Sequence, residues 1–116
     1  MKIYRAKDAK VESRDWGSLG ILGEVVLPKS VSSVGFFHPR TPPNGRLGNH
    51  LHKKLHEFMY FLNPGKIKVG SEVHEIARGD IVMLDPGEAH ELLAGPEGIS
   101  LFVVKLPNDP KDTERL

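Results

Sequence analysis

Four side chains near the middle of this chain are of the types that bind divalent metal ions, and their spacing lets them meet. His50 and His52 lie two apart, Glu57 follows five residues on, and His90 comes just after the turn Asp85-Pro86-Gly87-Glu88. On a β-strand, residues i and i+2 project from the same face, so His50 and His52 emerge side by side. Three imidazoles and a carboxylate suit one borderline divalent ion: zinc, manganese, iron, nickel or cobalt. Parity leaves one ligand open. In an unbroken strand through this stretch, His56 rather than Glu57 would share the face of His50 and His52. A turn at Lys53-Lys54 would reset the face and direct Glu57, Met59 and Phe61 inward. Glu57 is therefore the preferred ligand and His56 the alternative.

Short strands must position these residues. Twelve glycines and nine prolines divide the chain into brief segments, a pattern of strands and tight turns rather than helices. Strands are expected at Lys2–Tyr4, Leu19–Leu27, Val31–His38, His50–His52, Glu57–Leu62, Lys66–Val69, Glu72–Ile76, Ile81–Leu84, His90–Leu93 and Ile99–Leu106. Ala6–Ser18 reads as polar and irregular. Pro39–Asn49, with three prolines and two glycines in eleven residues, reads as a loop. Its Arg40 and Arg46 are expected as solvated charges, with the clamping of a substrate carboxylate or phosphate as the sharper alternative. Residues 107–116 read as a polar tail that frays or adds a helical turn. About ten short strands with turn residues between them predict an all-β sandwich or barrel.

Composition narrows the function classes. At 116 residues the chain has the size of a single domain, 1–116. Net charge is +1 with both signs interspersed, which gives no electrostatic footprint for nucleic acid. No apolar run is long enough to span a bilayer and the opening residues lack a signal-peptide core, so a cytoplasmic protein with no membrane partner is expected. The absence of cysteine removes thiolate ligands and disulfides.

The two metal-binding stretches resemble the paired motifs of the cupin superfamily. Gly45, His50, His52, Glu57 and Gly65 follow the first motif (about 45–65), with its glycine spacing off by one at each end. Gly79, Gly87 and His90 follow the second (about 79–94), with Asp85 where the pattern has proline and Ala94 where it has asparagine. These departures touch turns, not ligands. The resemblance implies a double-stranded β-helix, or jelly-roll, barrel, usually a homodimer, with His50, His52, Glu57 and His90 as metal ligands.

Three functions compete. The first is a metal-dependent enzyme on a small organic molecule, of the dioxygenase, isomerase or decarboxylase type that the resemblance suggests. Met59, Phe61, Met83, Leu92 and Phe102 are expected to face inward, and His38 to line the mouth. Plain core packing is the more economical reading of those apolar residues. Arg46 completes the candidate pocket set. A mostly apolar pocket over a metal favours a small organic ligand. The second reading is a metal-free sugar-nucleotide isomerase or epimerase, because GNHLHKKLHEF resembles the sugar ketoisomerase branch of cupins, where a histidine pair does acid–base work. The third is a non-catalytic module that binds a small ligand.

Overall fold

A computed structural model describes residues 1–116. Thirteen strands follow one another: β1 (Lys2–Tyr4), β2 (Lys10–Arg14), β3 (Gly17–Ile21), β4 (Gly35–Phe37), β5 (Arg40–Thr41), β6 (Arg46–Leu51) and β7 (His56–Phe61). The second half continues with β8 (Gly65–Val69), β9 (Glu72–Ile76), β10 (Ile81–Leu84), β11 (His90–Ala94), β12 (Ile99–Leu106) and β13 (Glu114–Arg115). The only helical piece is a 3-10 turn at Ala6–Asp8, and no helix is long and apolar enough to cross a membrane.

Two antiparallel sheets enclose the core. One runs β1-β10-β7-β12-β4, with β5 alongside β12, and the other runs β13-β6-β11-β8-β9. Alternation along each strand decides which residues enter. On β7, Glu57, Met59 and Phe61 are buried while His56, Phe58 and Tyr60 face the other way. The expected turn at Lys53-Lys54 is present and resets the strand face. Register then stacks inward rows: Leu84, Glu57 and Lys105 in one, Val82, Met59 and Val103 in the next. Met59, Phe61, Val82, Leu84, Leu101 and Val103 from one sheet meet Ile67, Ile76 and Leu92 from the other in a single cluster. Burying a side chain such as Phe61 contributes roughly 2–3 kcal/mol.

Several stretches differ from the sequence reading. Ala6–Ser18 is not irregular: β2 and β3 form a hairpin that pairs with no other strand and leaves Val11, Trp16 and Ile21 exposed. The strand expected over Leu19–Leu27 stops at Ile21, and that over Val31–His38 contracts to Gly35–Phe37. Within Pro39–Asn49, only the turn around Pro42-Pro43 is irregular, and β5 and β6 take the flanks. Two adjacent prolines interrupt pairing locally without forbidding it on either side. Phe102 lies on the outer face of β12, stacked on Phe36 at 6.2 Å, because its neighbours Leu101 and Val103 take the inward positions.

The tail is ordered by pairing rather than frayed. β13 sets Glu114 opposite Leu51 and Arg115 opposite His50. The Asp112 carboxylate accepts hydrogen bonds from the backbone N–H of Lys53, Lys54 and Leu55 at 2.8, 2.8 and 2.9 Å. It thereby satisfies the donors that the turn between β6 and β7 would otherwise leave bare. Burial alone would raise the Asp112 carboxyl, but those three N–H groups hold it below its ordinary value.

Candidate metal centre

The four residues predicted as ligands come together at one end of the barrel. His50 and His52 stand at the end of β6, Glu57 at the start of β7 and His90 at the start of β11. His50 and His90 are register partners, and a β-bulge follows at once, with Leu92 opposite Leu47. Such a bulge twists the strand and re-aims nearby side chains. All four residues are buried, with His90 fully so. One ring nitrogen from each of His50, His52 and His90 lies within 4.8 Å of the others. The Oε1 atom of Glu57 is 3.4 Å from His52 Nε2 and 3.3 Å from His90 Nε2. His56 projects from the opposite face of β7 and sits 3.5 Å from Asp85, away from the cluster.

Backbone carbonyls fix how each ring is used. His50 Nδ1 lies 2.8 Å from the Gly48 carbonyl, His52 Nδ1 2.6 Å from that of Asp112, and His90 Nδ1 2.9 Å from that of Glu88. A carbonyl oxygen only accepts, so each Nδ1 must carry the hydrogen, and each neutral ring then presents a lone pair at Nε2. His52 Nε2, His90 Nε2 and Glu57 Oε1 are buried with no hydrogen-bond partner. Buried polar atoms are normally paired, so three orphans converging on one point need a shared cation or bound protons. The donor set fits a divalent transition ion: three neutral nitrogens and one carboxylate, with carbonyls orienting the rings from behind.

The charges on these groups follow from their neighbours. Burial alone would raise the Glu57 carboxyl, yet the imidazoles of His52 and His90 hold it down to about 2. The same carboxylate raises His52 above its ordinary 6.5. Burial lowers His50, which is thereby kept neutral and ready to donate its lone pair.

A cavity of about 350 Å³ opens over the cluster, lined by His50, Glu57, Met59, Leu92, Val103 and Lys105 among others. That size suits a small organic molecule. The exposed His38 stands at its edge, its Nε2 2.6 Å from Ser100 Oγ. Of the other pocket candidates, Met59 lines the cavity, whereas Phe61 lies deeper in the core. Met83 points from the face of β10 opposite to Val82 and Leu84, and Arg46 pairs outside with Glu91 at 3.1 Å. Neither of those two lines the cavity. Lys105 and the Asp112 carbonyl were missed in the sequence. An inward lysine at the end of the apolar alternation Ile99, Leu101, Val103 is the signal that would have found the first.

No family model matches this sequence, and no curated protein matches it. Solved structures do resemble the fold. A conserved protein with a double-stranded β-helix domain from Klebsiella pneumoniae is 20% identical with a TM-score of 0.58, over 71% of each chain. A cupin protein from Bacteroides fragilis is 15% identical with a TM-score of 0.58, over 77% of this chain and 86% of that one. The DMSP lyase DddQ from Ruegeria pomeroyi is 15% identical with a TM-score of 0.64, over 72% of this chain but 43% of the lyase. Identities this low speak for architecture alone, and the shared architecture is the double-stranded β-helix.

Proposed function

We propose that His50, His52, Glu57 and His90 hold one divalent transition metal ion, and that the chain is a metal-dependent enzyme acting on a small organic molecule. The observation that carries this reading is the common orientation of the three imidazoles. Each has its Nδ1 hydrogen engaged by a carbonyl, which leaves Nε2 free, and the Nε2 atoms of His52 and His90 stand beside Glu57. When bound, such an ion supplies Lewis-acid polarisation of a carbonyl or acidification of a bound water. The protein's own groups do the rest. The Gly48, Glu88 and Asp112 carbonyls hold the rings against rotation, Glu57 contributes the single compensating negative charge, and Met59, Leu92, Leu101 and Val103 exclude water from the cavity floor. With four protein ligands, an ion that accepts a fifth or sixth would still have room for a substrate atom.

A metal-free reading in which the His50–His52 pair performs acid–base chemistry accounts for two residues only. It gives His90, fully buried, and Glu57 no task. The same fold carries a lyase in the Ruegeria pomeroyi protein, which fits a catalytic use of the scaffold without fixing the reaction here.

The test is metal analysis of the purified protein and its variants after dialysis. His52→Ala is expected to lose stoichiometric metal, at least about 100-fold in affinity, while His56→Ala retains it. Circular dichroism should show both variants folded. Full metal content in His52→Ala would refute the ligand assignment.

A further inference from the structure

Lys105 is the one cationic side chain that lines the cavity, and its position is set by the sheet. It continues the inward row of β12 after Ile99, Leu101 and Val103. In register it stands opposite Glu57 on one side and Gly35 on the other. Gly35 has no side chain, and a Cβ there would meet the Phe37 ring at 2.7 Å and the side chain of Asn108. The glycine thus lets Phe37 lie flat across the row, and the ammonium of Lys105 sits 5.0 Å from the centre of that ring. An aromatic face holds a cation weakly while leaving its three N–H donors free. Lys105 makes no ion pair, and Glu57 is the only carboxylate that lines the cavity.

Charge then selects the ligand. On the metal reading above, on which this inference rests, three neutral imidazoles and Glu57 leave a divalent ion with one net positive charge. Lys105 adds a second. Around them the walls are Leu47, Met59, Leu92, Leu101 and Val103, which screen poorly. A neutral occupant would leave both charges uncompensated beneath an apolar wall. An anion with a short apolar body would compensate them and fill the space. We propose that Lys105 is the ligand-recognition residue of the cavity, and that what it recognises is the carboxylate of a small organic acid.

Benzoate and benzamide, matched in size and differing in charge, test this in calorimetric titrations of the cobalt-loaded and the chelator-treated protein. Cobalt-loaded wild type is expected to bind benzoate at least about tenfold more tightly than benzamide, as a charge-assisted hydrogen bond provides, and chelator-treated protein, where Glu57 offsets Lys105, to show a smaller preference of the same sign. Lys105→Met should weaken the preference several-fold in the cobalt-loaded protein, where the ion keeps one positive charge, and abolish it in the chelator-treated protein, while Lys105→Arg should restore most of it, with thermal midpoints showing all three proteins folded. A preference in Lys105→Met as large as that of wild type, or one missing from wild type, overturns the proposal; in either case the lysine merely stretches along the wall to solvent. Cobalt uptake, read from its visible absorption, is scored separately. Failure to take up cobalt would sink the metal reading, while the comparison in chelator-treated protein would still decide the role of Lys105.

Discussion

Glu57 and Asp80 are both buried carboxylates, they sit at opposite ends of the β7–β10 pair, and they live in opposite circumstances. Asp80 is 1% exposed and fully occupied. Its oxygens accept from the Ala6 N–H at 2.8 Å, the Ala77 N–H at 2.9 Å and Arg5 Nη1 at 2.9 Å, and Arg5 also reaches the Glu75 carbonyl at 2.7 Å. Burial would raise its carboxyl, and those donors together hold it below the ordinary value. Glu57 is 4% exposed, yet its Oε1 faces two ring nitrogens and makes no hydrogen bond. The first cluster is closed and the second is open. A closed polar cluster fastens one end of a barrel, whereas an open one keeps its polar atoms available to a cation.

Substitution should separate the two most sharply. Asp80→Ala is expected to cost about 3 kcal/mol in denaturant unfolding, because it takes the acceptor from two part-buried N–H groups and a guanidinium, and to leave metal affinity unchanged. Glu57→Gln should cost less metal-free stability than Asp80→Ala while weakening metal binding strongly. The contrast collapses if Glu57→Gln unfolds as readily as Asp80→Ala.

Asp112 joins both roles, so its replacement should show an intermediate effect. Asp112→Ala removes the acceptor for three N–H groups and loosens the segment whose carbonyl orients His52. Unfolding experiments are expected to show a loss of about 2 kcal/mol, and metal titrations a roughly tenfold weaker site. Unchanged metal affinity would mean that the carbonyl stays in place without its side chain.

Acid should bring the smallest and broadest effect. Asp80 and Asp112 lie below 3.8 in the folded protein, and Glu57 falls from 4.5 to about 2. Each group binds its proton more readily when unfolded, so its contribution is complete above the unfolded value and disappears as pH drops through the folded one. Thermal midpoints of metal-free protein should therefore decline from about pH 4.5 towards pH 2, and Asp80→Asn should shallow that decline. A midpoint flat across this window would show that none of the three carboxylates is linked to folding.

What the sequence made legible was whatever has a local period. His50 and His52 declare themselves by strand parity, and the polar Lys53-Lys54 pair marks the turn that lets Glu57, and not His56, face inward. The alternating apolar residues of Ile99–Leu106 announce a strand, and the two motifs before it announce the barrel. Contacts between distant residues leave no such trace. Nothing in the spacing says that Asp112 meets Lys53, or that Asp80 meets Arg5. The segment before β6 was obscured for another reason: prolines and glycines mark a turn but do not show how short it is. Arg46 consequently reads as a loop residue, although it begins β6 and pairs with Glu91.

The hydrogen bond from His52 to the Asp112 carbonyl spans 60 residues of sequence, and this orders events during biosynthesis. A ribosome emits the histidine pair, then Glu57, then His90, long before residue 112 follows. Until that residue arrives, His52 has no fixed tautomer and the turn at residues 53–55 lacks its acceptor. The nascent chain therefore has one loose ring where the finished barrel has three held ones, and on the metal reading an ion would meet its full set of oriented ligands only in the completed molecule.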